Sequence, residues 1–253
     1  MYCAGLKVSH GVLLYGPAGT GKTLVAEAVA AESGAFVSRV QAPEVFSKFV
    51  GETEARLREQ FEVALAHAPS IVLLDEVECL CPVSGGHGTE QERRVAATLL
   101  TLLDDLQQRA ERVLVIATTS RPDDLHPALR RPGRQVPRYI TTSFIHEDWL
   151  LKGPNCRFDQ ELEVGVPSPE ARLDILCKLL HSVSHQLTAD DIRAIASSTH
   201  GFVGADLASL CAHAGRFAMR VSHEVTREDF AAALTLVKPS AMRKVLVQVP
   251  DVS

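Results

Sequence analysis

Val12-Leu13-Leu14-Tyr15-Gly16-Pro17-Ala18-Gly19-Thr20-Gly21-Lys22-Thr23 is the stretch on which the fold turns. Its first four residues are an apolar run of strand length, suited to burial on both faces of a sheet. The next eight, Gly16 to Thr23, fit the pattern G-x-x-x-x-G-K-[ST]. Leu24 to Ser33 then reads as a helix with Leu24, Val25, Ala28 and Val29 on one side. A strand, a glycine-rich turn and a helix N-terminus together build an anion site. The glycines let backbone N–H groups curl around a phosphate, and the helix end adds partial positive charge. In such a loop Lys22 reaches the outer phosphates and the Thr23 hydroxyl holds Mg2+. A chance match to this pattern in a chain of this length is on the order of 0.01, from average glycine usage.

The next strand-like run extends this reading. Ile71-Val72-Leu73-Leu74 is wholly apolar and ends on Asp75-Glu76, which places two carboxylates at the end of a buried strand. Ligands of open α/β sheets bind at that edge. There Asp75 is a metal-holding carboxylate and Glu76 a water-polarising one, and the pair favours ATP over GTP. Val113-Leu114-Val115-Ile116-Ala117 is a third buried run, preceded by helical periodicity over Glu90 to Gln108 through Val95, Leu99, Leu102, Leu103 and Leu106. Buried strands separated by helices predict an α/β fold with a parallel sheet covered by helices. The texture changes near Val166-Pro167-Ser168-Pro169. Helices are expected over Pro169 to His181, Thr188 to Ser198, Ala205 to Arg220 and Thr226 to Val237, the first capped by Ser168 and the last opened by Thr226 with Asp229 three residues on. The expected division is therefore an α/β domain over 1–165, a small all-α domain over 166–239 and a linker-like stretch over 240–253.

Composition sets the background. The chain has 253 residues, 46% apolar and 23% charged, as in ordinary globular domains, and a formal charge of −5. That charge exerts no general pull on nucleic acid or anionic membrane. The six cysteines, Cys3, Cys79, Cys81, Cys156, Cys177 and Cys211, are scattered. Cys79-x-Cys81 lacks zinc spacing and a second ligand pair, so reduced thiols and a cytoplasmic setting are the expectation, with nucleus or mitochondrion open. No apolar run approaches the length of a membrane span, and residues 1–10 do not read as a secretory signal.

With both motifs placed, the chain resembles AAA ATPases of the two-cassette class related to valosin-containing protein. The segments that carry the resemblance are GVLLYGPAGTGKT, KFVGETEARLREQF, PSIVLLDEVECLCP, RPDDLHPALRRPGR, ELEVGVPSPEARLDIL and THGFVGADLASLC. Within that class the chain resembles the first cassette of the branch associated with maturation of the large ribosomal subunit. The resemblance implies an AAA+ P-loop core followed by a helical lid, with ATP and Mg2+ as cofactors. It implies nucleotide contacts at Gly16, Pro17, Ala18, Gly19, Thr20, Gly21, Lys22, Thr23 and Leu24, and from the lid at His200, Gly204 and Ala205. Thr23 and Asp75 are the implied metal ligands. Arg131 and Arg134 match arginine fingers that reach a neighbouring subunit's nucleotide, so partners include further copies in a ring, usually a hexamer. Lys48, Phe49 and Val50 match the pore loop that grips a polypeptide substrate, here a protein or ribosome-assembly factor. Neither direct nucleic-acid binding nor membrane insertion is expected.

The departures from the family qualify these expectations. Ser120 stands where the family has Asn, which orients the attacking water, so slower hydrolysis with retained ATP binding is expected. Residues 135–157, which contain Trp149, the sole tryptophan, separate Arg134 from Phe158-Asp159. Either Arg134 or Arg157 is then the residue that normally precedes Phe158. This segment is read either as a retained intron or isoform segment, or as an evolved surface loop. The family's upstream helix, adenine-contacting loop, N-domain and second cassette have no counterpart here, and weaker adenine binding is expected. Two functions compete: a ring-forming, protein-remodelling ATPase, and a nucleotide-binding fragment with little turnover that acts by joining full-length rings.

Overall fold

In the computed structural model the described residues are 10–42, 51–82, 89–109, 112–129, 158, 160–221 and 224–241. Lys48, Phe49, Val50, Arg131, Arg134 and segment 135–157 lie outside them. The described residues group into two compact units: residues up to Gly16 together with Lys22–Glu163, and Pro17–Gly21 together with residues from Val164 onward.

The first unit is built on a five-stranded parallel sheet. Its strands are β1 (Gly11–Tyr15), β2 (Phe36–Gln41), β3 (Ser70–Asp75), β4 (Val113–Thr119) and β5 (Gln160–Glu163), in the order β2-β3-β4-β1-β5. The three apolar runs of the sequence are the three central strands, as expected of strands covered on both faces. β5, with the sequence QELE, lies at an edge and is mostly exposed, and polar residues there discourage further strand pairing. Helices α1 (Lys22–Ser33), α2 (Glu52–Ala66), α3 (Val77–Leu80) and α4 (Glu90–Gln108) complete the unit.

Alternate strand residues define the main core. Leu13, Val40, Val72, Leu74, Val113, Val115 and Ala117 pack with Leu57 and Phe61 of α2 and with Val95, Leu99, Leu103 and Leu106 of α4. α4 is opened by a capping box between Thr89 and Glu92, which satisfies two amides of its first turn. α1 packs on β1, β3 and β4 through small residues, Ala26 and Ala30, which are both buried. Its apolar side, Leu24, Val25, Ala28 and Val29, is exposed instead, with Leu24 at 71%. A helix lying close on a sheet needs short side chains beneath it, and that requirement outweighs the apolar stripe.

The second unit holds α5 (Pro169–Leu180), α6 (Ala189–Ser198), α7 (Gly204–Val221) and α8 (Arg227–Leu236). Ser168, Thr188 and Thr226 each cap a helix, the last two as full capping boxes with Asp191 and Asp229. Leu176, Ile195, Phe202, Leu207, Leu210 and Phe230 are in its core. The buried Arg172 of α5 donates from Nε to Ala196 O at the end of α6 and from Nη1 to Pro167 O, both at 3.1 Å. A cation at a helix C-terminus is favourable there. Asp206 in the first turn of α7 accepts the Ser240 amide at 2.8 Å and the Ser240 hydroxyl at 2.6 Å, and so secures the stretch that follows α8.

Candidate active site

The glycine-rich turn begins where β1 stops. Gly19 and Gly21 have φ of 79° and 97°, a left-handed region open to glycine at little cost. Turns of this kind line a concavity with backbone amides that suits anions. Within the second unit, Ala205 N–H donates to Gly19 O at 3.0 Å, and a Cβ on Gly19 would come within 2.9 Å of Ala205 Cβ. Both the dihedral and the space at position 19 therefore demand glycine. Thr20 Oγ1 donates to Pro17 O at 3.0 Å and closes the turn on itself. His200 is exposed in the turn before α7, and Gly204 and Ala205 open that helix.

In the first unit Lys22, only 6% exposed, donates from Nζ to Gly16 O at 3.0 Å. Its ammonium is thus held by the residue that follows β1 and starts the turn. One residue on, Thr23 Oγ1 donates to Asp75 Oδ1 at 2.9 Å across 52 positions of sequence. Thr118 Oγ1, from the neighbouring strand β4, donates to the same Asp75 oxygen through a short bond. Three elements, α1, β3 and β4, therefore meet at one carboxylate. Thr23 Oγ and the Asp75 carboxylate are hard oxygen donors already side by side, the donor set that Mg2+ accepts while keeping several waters. The residues present fit the metal and the phosphates expected at this loop.

Glu76 follows Asp75 and is exposed. It is the one described non-glycine residue with positive φ, at φ 54° and ψ 51°. That conformation costs a side-chain-bearing residue about 1–2 kcal/mol, and such strain gathers at functional sites. The Glu76 amide donates to Thr118 Oγ1 at 3.3 Å, so Thr118 touches both residues of the acidic pair. Two residues later Glu78 is buried, and its Oε1 accepts the Ser120 amide at 3.2 Å. The same corner acts on Cys79. Burial first, then the carboxylates Glu78 and Glu76, push its thiol pKa up, and the Arg121 guanidinium partly opposes them.

The structure thus brings Lys22, Thr23, Asp75, Glu76 and Ser120 to the C-terminal edge of one sheet. Sequence reading missed Thr118 and Glu78. The signal for Thr118 was faint: a hydroxyl at the polar end of an otherwise apolar strand. Glu78 carried none, because a carboxylate one turn past an acidic pair reads as surface.

Comparison with known proteins agrees with this geometry. The family described as "ATPase family associated with various cellular activities (AAA)" matches residues 12–141, and the AAA+ lid domain matches residues 189–232. The chain is 44% identical over 266 residues to the human ATPase family gene 2 protein homolog A, covering 98% of this chain and 27% of that protein. It is 44% identical over 267 residues to the Archaeoglobus fulgidus cell division cycle protein 48 homolog, covering 98% of this chain and 33% of that protein. It therefore spans about a third or less of the length of these curated relatives. The crystal structure of the FIGL-1 AAA domain in complex with ADP superposes with a TM-score of 0.74 at 31% identity, over 94% of this chain and 75% of that one. A phosphate loop, an acidic strand end, a helical unit matching the AAA+ lid and a family match over half its length place this chain in the AAA family of ATPases.

Proposed function

We propose that this chain is the ATP-binding and ATP-hydrolysing cassette of a ring-forming ATPase that remodels protein complexes in ribosomal-subunit maturation. The observation that carries the catalytic part is the convergence of Thr23 and Thr118 on Asp75, with the strained Glu76 beside them. Backbone amides of the loop and the Lys22 ammonium hold the phosphates, while Thr23 and Asp75 hold Mg2+. When bound, the metal draws charge from the phosphate oxygens. Glu76 orients the attacking water and accepts its proton on a carboxylate oxygen, and the Ser120 hydroxyl helps to orient that water. Arg131 and Arg134 of a neighbouring copy stabilise charge on the transferring phosphoryl group. The ring, the polypeptide gripped by Lys48, Phe49 and Val50, and the ribosomal role rest on the resemblance of the motifs, and a cytoplasmic setting rests on the scattered cysteines.

Ser120 favours a second reading, a nucleotide-binding module with little turnover, because its side chain is shorter than the asparagine the family places there. ATP binding and steady-state hydrolysis, measured across protein concentrations, separate the two. Turnover per chain that rises with concentration supports the enzyme. Tight binding with flat, near-zero turnover supports the module, and loss of binding in wild type defeats both.

A further inference from the structure

We propose that Glu78 is a positioning residue for hydrolysis, which fixes the end of β4, and with it Ser120, against the Asp75-Glu76 strand end. The proposal rests on the ATPase reading above. The parallel ladder between β3 and β4 ends at the pair Leu74 and Ala117. On its other side β4 stays paired with β1 as far as Tyr15 and Thr119. Past Ala117, therefore, the β3 side of β4 has no main-chain ladder. Two side chains replace it. Thr118 Oγ1 accepts the Glu76 amide at 3.3 Å, and Glu78 Oε1 accepts the Ser120 amide at 3.2 Å. The first bond holds the residue before the turn into α3, and the second holds the residue that leaves β4.

Burial makes the second bond more than incidental. Glu78 is 6% exposed, and its Oε2 is buried without a partner among the described residues. A carboxylate in such a place costs free energy, and an orphan oxygen demands a reason. Leucine would suit a purely structural helix turn here at lower cost. A carboxylate that takes a backbone amide with one oxygen while the other stays buried suits a fixed acceptor beside Ser120. Serine is short, so its hydroxyl goes where its backbone is put. An asparagine has an extra torsion to search with; Ser120 has none beyond χ1. Placement of Ser120 relative to Glu76 is thus delegated to Glu78.

The test compares Glu78→Ala and Glu78→Gln with wild type in the full chain. The readouts are kcat, KM for ATP, ATP affinity and amide hydrogen exchange at Ser120. Glu78→Ala is expected to speed exchange at Ser120 at least tenfold and to lower kcat at least tenfold, with ATP affinity within twofold. Glu78→Gln keeps a carbonyl acceptor and is expected to restore slow exchange and most of kcat. Unchanged Ser120 exchange in Glu78→Ala overturns the clamp. Faster exchange with unchanged kcat overturns its role in hydrolysis while the ATPase reading stands. Equal losses in kcat and affinity, or a glutamine variant as poor as the alanine one, also overturn it. Slow exchange in a wild-type chain that binds ATP without turning it over defeats the ATPase reading, and the positioning role with it.

Discussion

Glu76 is exposed and strained, while Asp75 one residue earlier is bound to two hydroxyls, and the difference suits the separate roles proposed for them. In the proposed site Asp75 is the fixed metal ligand, while the Glu76 carboxylate makes no hydrogen bond among the described residues and sits on a backbone whose amide donates to the Thr118 hydroxyl. Glu76→Gln keeps the shape and removes the base. It is expected to retain ATP affinity within about twofold and to lose about 10² to 10⁴ in kcat, the usual worth of a positioned general base. Equilibrium binding and single-turnover hydrolysis check both halves, and a kcat within threefold of wild type removes Glu76 from the role. Ser120→Asn is expected to do the opposite and raise turnover at unchanged affinity, since the amide reaches farther than the hydroxyl. Steady-state hydrolysis in the assembled form decides it; no gain means that the short side chain is not what limits the rate. At this scale the loop and the acidic pair were legible, because each is a contiguous motif whose residue types the chemistry dictates. Thr118 and Glu78 were not, because their partners lie 43 and 42 positions away and only the register of β3 against β4 makes them neighbours.

The helices of the second unit announced themselves through their ends. Ser168 before Pro169 and Thr226 with Asp229 are local signals, and the boundaries read from them fell within one residue of those observed, while the box between Thr188 and Asp191 is a signal of the same kind that the sequence reading did not use. β2 gave no such signal. Its alternation of exposed and buried residues, FVSRVQ, is that of an edge strand and is easily lost beside the longer apolar runs. The cap on α6 also has a pH dependence of defined sign. Hydrogen bonds from Thr188, its side chain first and then its backbone, hold the Asp191 carboxyl below the ordinary aspartate value. A carboxyl depressed in the folded state contributes stability above its unfolded pKa of about 3.9 and loses it as pH falls through the lower folded value. The melting-temperature difference between wild type and Thr188→Ala is therefore expected to be full at pH 6 and to shrink below about pH 4. A difference that is constant down to pH 2.5 refutes it. α7 offers a second check. Burial pushes the Cys211 thiol up to about 11, whereas Cys177 on α5 is exposed. At pH 8 the thiolate fraction of Cys211 is about one in a thousand, and the thiolate is the reactive form. Alkylation of the folded chain followed by peptide mapping is expected to mark Cys177 and spare Cys211. Equal labelling of the two means that α7 opens on the timescale of the reaction.

At the scale of the whole molecule, each described unit carries its own core, and the fold class followed from the alternation of buried runs and helical stretches. What the alternation could not give is the proposed assembly, since residues that act on a neighbouring copy follow no periodicity of the strand or helix they belong to. Arg131 and Arg134, in Arg-Arg-Pro-Gly-Arg, are singled out only by the resemblance to the AAA family. The proposal that they act on a neighbour's nucleotide has a test that does not depend on seeing the ring. One variant, Lys22→Ala, keeps its arginines and loses its phosphate contact. Another, Arg131→Ala with Arg134→Ala, keeps its pocket and loses its fingers. Each alone is expected to be nearly inactive. Mixed in equal amounts, random pairing puts an intact pocket against intact fingers at about a quarter of the junctions, and hydrolysis returns to roughly that share of wild type. Recovery is expected to grow with total protein concentration, because it requires contact between chains. Arginines that serve their own chain's nucleotide, or no nucleotide at all, give no recovery at any ratio or concentration, and a ring built on trans fingers then fails for this chain.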